Sequence, residues 1–232
     1  MNMCKLGQLV PTAHRETISA SASASATKMR LLDVSARLFA ESGFDSVSLR
    51  LITENAEANL AAVNYHFGSK EELITAVVEK LVGPVNQRRL ALLRKINLDI
   101  SGACESIVEA FIDPVIQAAS RGDEEDQRYC KLMSRCIASR DERVTSLVLR
   151  QFPEVLAKFV DALRSVCPWI SSDEAHMRIM FMAGAMAHSL FHHDKLVIIS
   201  EGRCEIASLD GLRDELVQFI SAGMSAGTSK SV

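Results

Sequence analysis

His188 and His192 stand four residues apart, one helical turn, a spacing at which two imidazoles can share a metal ion. His193 and Asp194 follow directly. No third ligand can be placed, so the group reads as a polar spot in a core or pocket and no metal is assigned. Gly223-Met224-Ser225-Ala226-Gly227 fits the G-x-S-x-G pattern of a serine nucleophile, which needs a strand before it and a histidine later in the chain. A helical pattern precedes it and no histidine follows, so no catalytic residue is assigned and no cofactor is expected. The six cysteines, Cys4, Cys104, Cys130, Cys136, Cys167 and Cys204, contain no C-x-x-C pair. They read as free thiols, mostly in the core, rather than zinc ligands or a redox pair.

A different chemistry is offered by Ser48–Leu73, SLRLITENAEANLAAVNYHFGSKEEL. Ser48 is a good N-cap, followed by Leu49, Ile52 and Ala56 at helical spacing. Asn59 is a second N-cap, and a short helix beginning there puts Leu60 and Val63 on its inner face. Gly68 breaks the chain, and Ser69 with Glu72 is a capping box that opens a longer helix. Two short helices across a turn, the second polar outside, are the layout of a helix-turn-helix reader of the DNA major groove.

Each contact in such a reader has a physical reason. Ser48 and Lys28 sit at helix N-termini, where backbone donors favour a phosphate. Arg50 lies on the exposed side of the second helix. Asn59, Leu60, Ala61 and Ala62 open the recognition helix, and the two small alanines permit close approach and methyl contact with thymine. Asn64 can read a base edge.

The run NYHFGSKEEL, with Leu38, Phe39 and Gly43-Phe44 upstream, resembles the N-terminal domain of the TetR family of transcriptional regulators. The likeness covers roughly residues 27–78. LRLIT, NLAAVNYHFGSK and the later AGM are similar to the fatty-acid-responsive PsrA branch of that family. The resemblance implies an all-α chain: a three-helix DNA-binding domain, then a helical domain that binds an effector and dimerises. It also implies that Tyr65, His66 and Lys70 touch the DNA backbone. The family usually has glycine in the turn where this chain has Glu57. A non-glycine residue at positive φ costs on the order of 1 kcal/mol, and a carboxylate there repels phosphate.

Composition agrees with a globular, cytoplasmic expectation. The chain has 232 residues, 48% of them hydrophobic, a net charge of −3 and a mean hydropathy of +0.11. No apolar run approaches the ~20 residues that span a bilayer. The charge excludes a generally basic nucleic-acid coat protein but not a local DNA site. Between Lys28 and Lys80, six basic residues face eight acidic ones, so contacts must be few and placed.

The elements that would position these groups divide the chain into four. Residues 1–26 alternate Ser and Ala near their end, lack an apolar signal-peptide centre and read as a disordered tail, with Met29 a candidate alternative start. Residues 27–73 are the DNA-binding domain, 74–226 the effector and dimerisation domain, and 227–232 a tail. Helix one spans Lys28–Ser42 and ends at Gly43. Gly83-Pro84 interrupts helix four. Arg88, Arg89, Arg94 and Lys95 read as a solvated basic face. A helix covers 103–119 with a kink at Pro114; 121–126 is a charged loop; another helix covers 129–139. A long helix starts at Asp141 and bends or breaks at Pro153. Ser171 with Glu174 caps a helix that is apolar nearly all round, and so must be covered on both sides. Lys195–Cys204 reads as a loop, and Leu209–Met224 as the last helix.

The C-terminal domain supplies the remaining expectations. Phe111, Met133, Phe159, Met177, Phe181 and His188 are candidate effector-pocket residues. Met180, Ala183, Gly184, Ala187, Phe191, Leu216, Phe219 and Ile220 are candidates for the homodimer interface. The expected partners are palindromic operator DNA, a small hydrophobic effector and a second subunit. A PsrA-like repressor would release DNA on binding a long-chain fatty acid or acyl-CoA, with Arg135, Arg178, His176 or His188 as candidate partners of the acid group. The alternatives are a sensor of another hydrophobic compound such as an exported drug, a helical enzyme using His188 and His192, and an interaction protein that has lost DNA binding.

Overall fold

The computed structural model describes residues 12–120, 123–138, 142–192, 194–206 and 208–227. Cys4, Arg121, Asp141 and His193 lie outside these, as do the terminal residues 1–11 and 228–232. The described residues are all-α, without a strand.

The first unit is α1 (Thr12–Ser42), α2 (Leu49–Asn55) and α3 (Leu60–Phe67). α1 begins at Thr12, not at Lys28. No Gly or Pro interrupts residues 12–26, and alanine favours helix, so the missing apolar period did not preclude one. From Leu31 onward α1 is amphipathic, with Leu31, Leu38 and Phe39 buried. Gly43, at φ +82°, ends it by donating its N–H to Phe39 O at 2.9 Å. Phe39 and Phe44 pack with ring centroids 5.2 Å apart, closing the small core under α2 and α3.

α4 (Lys70–Leu93) leaves α3 after a single turn and runs through Gly83-Pro84 without a break. Pro84 is on the exposed face, where water can serve the carbonyl that the missing N–H leaves unpaired. The body consists of α5 (Ala103–Ser120), α6 (Glu124–Ala138), α7 (Glu142–Leu149), α8 (Pro153–Val166), α9 (Ser172–Phe191), α10 (Asp194–Ile199) and α11 (Leu209–Ser225). α5 is central, packed on α4 and α11 with α6 and α8 beside it. The expected break at Pro153 is present, with Pro153 at the first position of α8. Two expected loops are helical instead. Glu124–Asp126 form the first turn of α6, where carboxylates complement the helix dipole and Asp123 Oδ1 accepts from Glu125 N at 2.7 Å. Residues 194–199 form α10, closed by positive φ at Glu201 and Gly202.

One contiguous apolar core runs from Leu31 in α1 to Met224 in α11. Two basic residues tie the first unit to the body. Lys80 of α4 pairs with Asp33 of α1 at 3.1 Å and Glu125 of α6 at 2.6 Å. Arg135, in the last turn of α6, donates to the carbonyls of Ala40 (2.9 Å) and Glu41 at the C-terminal end of α1. No described helix is long and apolar enough to cross a membrane.

Candidate nucleic-acid interface

The α2–α3 turn is built by local hydrogen bonds. Ser48 accepts from Leu51 N at 3.1 Å and Asn59 from Ala62 N at 2.9 Å, so both N-caps work as their sequence positions require. Between them, Ala58 N donates to Thr53 O at 3.0 Å and Glu57 N to Glu54 O at 3.4 Å. That is the six-to-one and five-to-two pairing of a Schellman ending, which places Glu57 in the left-handed region at φ +49°. Glu57→Gly should therefore raise stability by about 1 kcal/mol, offset in part by glycine's extra freedom when unfolded. It also removes an exposed carboxylate beside the recognition helix. Operator binding should tighten, by a margin that shrinks with salt; thermal melts and a salt-titrated gel shift measure the two effects.

Val63 is the fully buried anchor of α3. The opposite face carries Ala61, Asn64 and Tyr65, all exposed, with Tyr65 80% accessible; Leu60, expected on the inner face beside Val63, is 51% accessible and turns outward with them. Ala62 is half-buried, its N–H taken by Asn59. His66 is also half-buried, its ring edge-on to Tyr65 at 4.9 Å. Gly68 at φ +83° ends α3, and Ser69 accepts from Glu72 N at 3.1 Å to start α4. Arg50 is exposed and paired with Glu54 at 2.8 Å. Lys28 lies inside α1 and not at its start, so no free helix N-terminus accompanies it; its ammonium is 5.8 Å from the Phe67 ring centre, beside the end of α3. Lys70 is half-buried, and its ammonium donates to Phe44 O at 2.9 Å, a tie within the domain.

In the body, Phe111 and Phe159 are buried and meet edge-to-face at 5.2 Å, with Met133 half-buried against the same core. Met177 and Phe181 are not there. They lie on the outer face of α9 with Met180, because its inward face is Ala175, Ile179, Met182, Met186 and Leu190. His188 is exposed too, its ring 5.2 Å from that of His192. Both line an open cleft of roughly 600 Å³ between α9, α10 and α11, shared with Cys204, Glu205 and Glu215. No cluster of three metal-ligating side chains occurs among the described residues.

Of the expected interface residues, Met180, Gly184 and Phe219 are exposed, and Ala183, Ala187 and Phe191 are half-buried. Leu216 and Ile220 are buried on the inner face of α11 and belong to the subunit's own core. The other half of the α9 face is thus left uncovered among the described residues.

The candidate cations are spent elsewhere. Arg135 holds the end of α1. Arg178 pairs with Glu174 at 2.7 Å and donates to Met224 O and Ala226 O at the end of α11. His176 Nδ1 lies 2.7 Å from Ser172 O. The basic cluster divides: Arg94 and Lys95, past the last turn of α4, are exposed, Arg88 is half-buried and paired with Asp126 at 2.7 Å, and Arg89 is only 2% exposed. A string of charges in sequence carries no mark of which member turns inward, and this one was missed. Burial also pushes the thiols of Cys104 to about 12 and of Cys130 and Cys136 to about 11, so they stay protonated and unreactive at neutral pH. Cys204 is exposed. Gly223–Gly227 is the end of α11 and its exit, with no strand before it.

Two short helices across a tight turn, the second with a capped start and an exposed polar face, define a helix-turn-helix DNA-binding protein on a helical body. Comparison with known families agrees. Residues 31–77 match the bacterial regulatory proteins of the tetR family, and residues 109–223 match the tetracyclin repressor-like C-terminal domain. BetI of Rhizobium meliloti (strain 1021), an HTH-type transcriptional regulator, is 25% identical over 166 residues, 72% of this chain and 76% of BetI. Among solved structures, Salmonella enterica GusR shares the fold at TM-score 0.58 and 19% identity, over 86% of this chain and 93% of that one. A transcriptional regulator (TerR/AcrR family) from Aquifex aeolicus VF5 does so at 0.52 and 20%, over 84% and 97%. The chain belongs to the TetR family of transcriptional regulators and is a DNA-binding protein rather than an enzyme.

Proposed function

We propose that this regulator is a homodimeric repressor that holds a palindromic operator through α3 and releases it when a long-chain fatty acid or acyl-CoA enters the body. The observation that carries the reading is the outer face of α3. Leu60, Ala61, Asn64 and Tyr65 are turned to solvent among the described residues, on a helix held rigidly by Val63 and the Asn59 cap. A dimer would set two such helices about 34 to 36 Å apart, one turn of DNA. The uncovered apolar side of α9, Met177, Met180 and Phe181, with Phe219 of α11, is the surface a second subunit would cover.

Release would act through α4, which begins directly after α3 and is joined to α1 and α6 by Lys80. A differential effector affinity of ~1 to 3 kcal/mol between two positions of α4 would change operator affinity ~5- to 150-fold. The test is a gel shift of the purified chain on the DNA upstream of its own gene, with dodecanoate and dodecanoyl-CoA added, and sedimentation to give the subunit number. A dimer that binds and is released by either compound is expected. A monomer, or binding that neither compound alters, overturns the respective half of the reading.

A further inference from the structure

Arg89 is a charged side chain in the middle of the body with no carboxylate beside it among the described residues. Its Nε donates to Phe111 O at 2.9 Å, and one terminal nitrogen donates to Asn86 Oδ1 at 3.1 Å. Its guanidinium carbon sits 4.0 Å over the Phe111 ring. Asn86 in turn donates to Gln151 O at 2.8 Å, so one polar chain links α5, α4 and the α7–α8 connection. Tyr129 of α6 is also buried, close enough for the cation to oppose the rise that burial imposes on its hydroxyl. All these partners are neutral. They accept from two of its N–H groups but leave a full positive charge without a counter-charge in an apolar core, an unfavourable state that a bound anion would relieve.

We propose that Arg89 is the anchor for the acid group of the effector: an amphiphile with one carboxylate on an apolar body, seated with its charge on the guanidinium and its chain against Phe111 and Phe159. This rests on the effector reading above and deepens it, since Arg135, Arg178 and His176 are engaged elsewhere and His188 faces an open cleft away from Phe111 and Phe159. A carboxylate competes for the same N–H groups that now hold Phe111 O and Asn86. Its arrival therefore loosens α4 from α5 and from the α7–α8 connection, on the helix that carries α3. The polar chain is also the reason the site is closed without ligand: a neutral apolar molecule offers nothing to take the guanidinium from its present acceptors.

The test compares dodecanoate with 1-dodecanol, by calorimetry and thermal shift on the full chain, and repeats both with Arg89→Met. The unmodified protein should bind dodecanoate about ten- to a hundredfold more tightly than the alcohol, the range expected of a charge-assisted hydrogen-bonded pair. Arg89→Met should lose that preference and, because it cuts the same ties to Phe111 O and Asn86, hold the operator more weakly than the unmodified protein and show no further release with dodecanoate. Equal binding of acid and alcohol overturns the anchor but leaves the acyl reading standing; binding of neither overturns both. Should Arg89→Met not fold, a crystal structure of the unmodified protein with dodecanoate decides. A carboxylate on Arg89 supports the assignment, and one bound elsewhere overturns it.

Discussion

Tyr65→Ala should abolish most operator binding while leaving the fold untouched. Tyr65 is 80% exposed, and its one close aromatic neighbour is His66, the next residue along. Truncation therefore removes almost no buried area, and stability should move by no more than about 0.5 kcal/mol. The same exposure leaves the ring and hydroxyl free for the duplex. A hydroxyl bond to phosphate or a base edge contributes about 1 to 2 kcal/mol. A symmetric dimer loses it twice, so affinity should fall roughly thirty- to several-hundredfold. Tyr65→Phe separates the ring from the hydroxyl and should retain part of the affinity. Circular dichroism and the melting temperature guard against misfolding. An unchanged gel-shift midpoint for Tyr65→Ala would show that α3 does not read DNA through this residue.

The ease with which this part of the chain could be read has a simple cause. Ser48, Asn59, Ser69 and Ser171 each cap the helix they precede, accepting from a backbone N–H three residues on. Capping involves groups so near in sequence that no tertiary information is needed. Gly43 and Pro153 act the same way, through their own backbone constraints. The Schellman ending at Glu57 was half legible: its position in the turn was evident, its φ was not.

What could not be read depends on long-range packing. Arg89 turns to the inner side of α4 while Arg94 caps its end in solvent, and the partners of Arg89 come from residues 111 and, through Asn86, 151. Leu216 and Phe219 alternate between core and solvent on α11 because α5 covers one side only, with Arg213 bridging to Glu109 and Asp113 at 2.8 Å. Met177 and Phe181 are as apolar as Met182 and Met186, so hydropathy alone could not tell a pocket wall from an uncovered face. Helix persistence through Pro84 likewise turned on whether that residue faced water.

Phe159→Ala tests what the centre of the body is. Phe159 is fully buried in α8 and edge-on to Phe111, whose face in turn supports Arg89. In a close-packed core its truncation costs about 3 to 5 kcal/mol, through lost burial and the cavity left behind. For a chain of this size each kcal/mol lowers the melting temperature by about 2 to 4 °C, so a drop of roughly 6 to 20 °C is expected. Removing the ring also frees Phe111 to tilt and weakens the platform under the guanidinium. The dodecanoate preference should then shrink as well, although Arg89 itself is intact. An apolar cavity of this kind stays dry and accepts small aromatic molecules. Benzene should therefore restore part of the lost melting temperature in the variant and do nothing for the unmodified protein. A loss under about 1 kcal/mol would mean instead that space beside Phe159 is open before any ligand arrives. The effector would then enter a ready cavity, and the closing role assigned to Arg89, Asn86 and Phe111 would have no work to do.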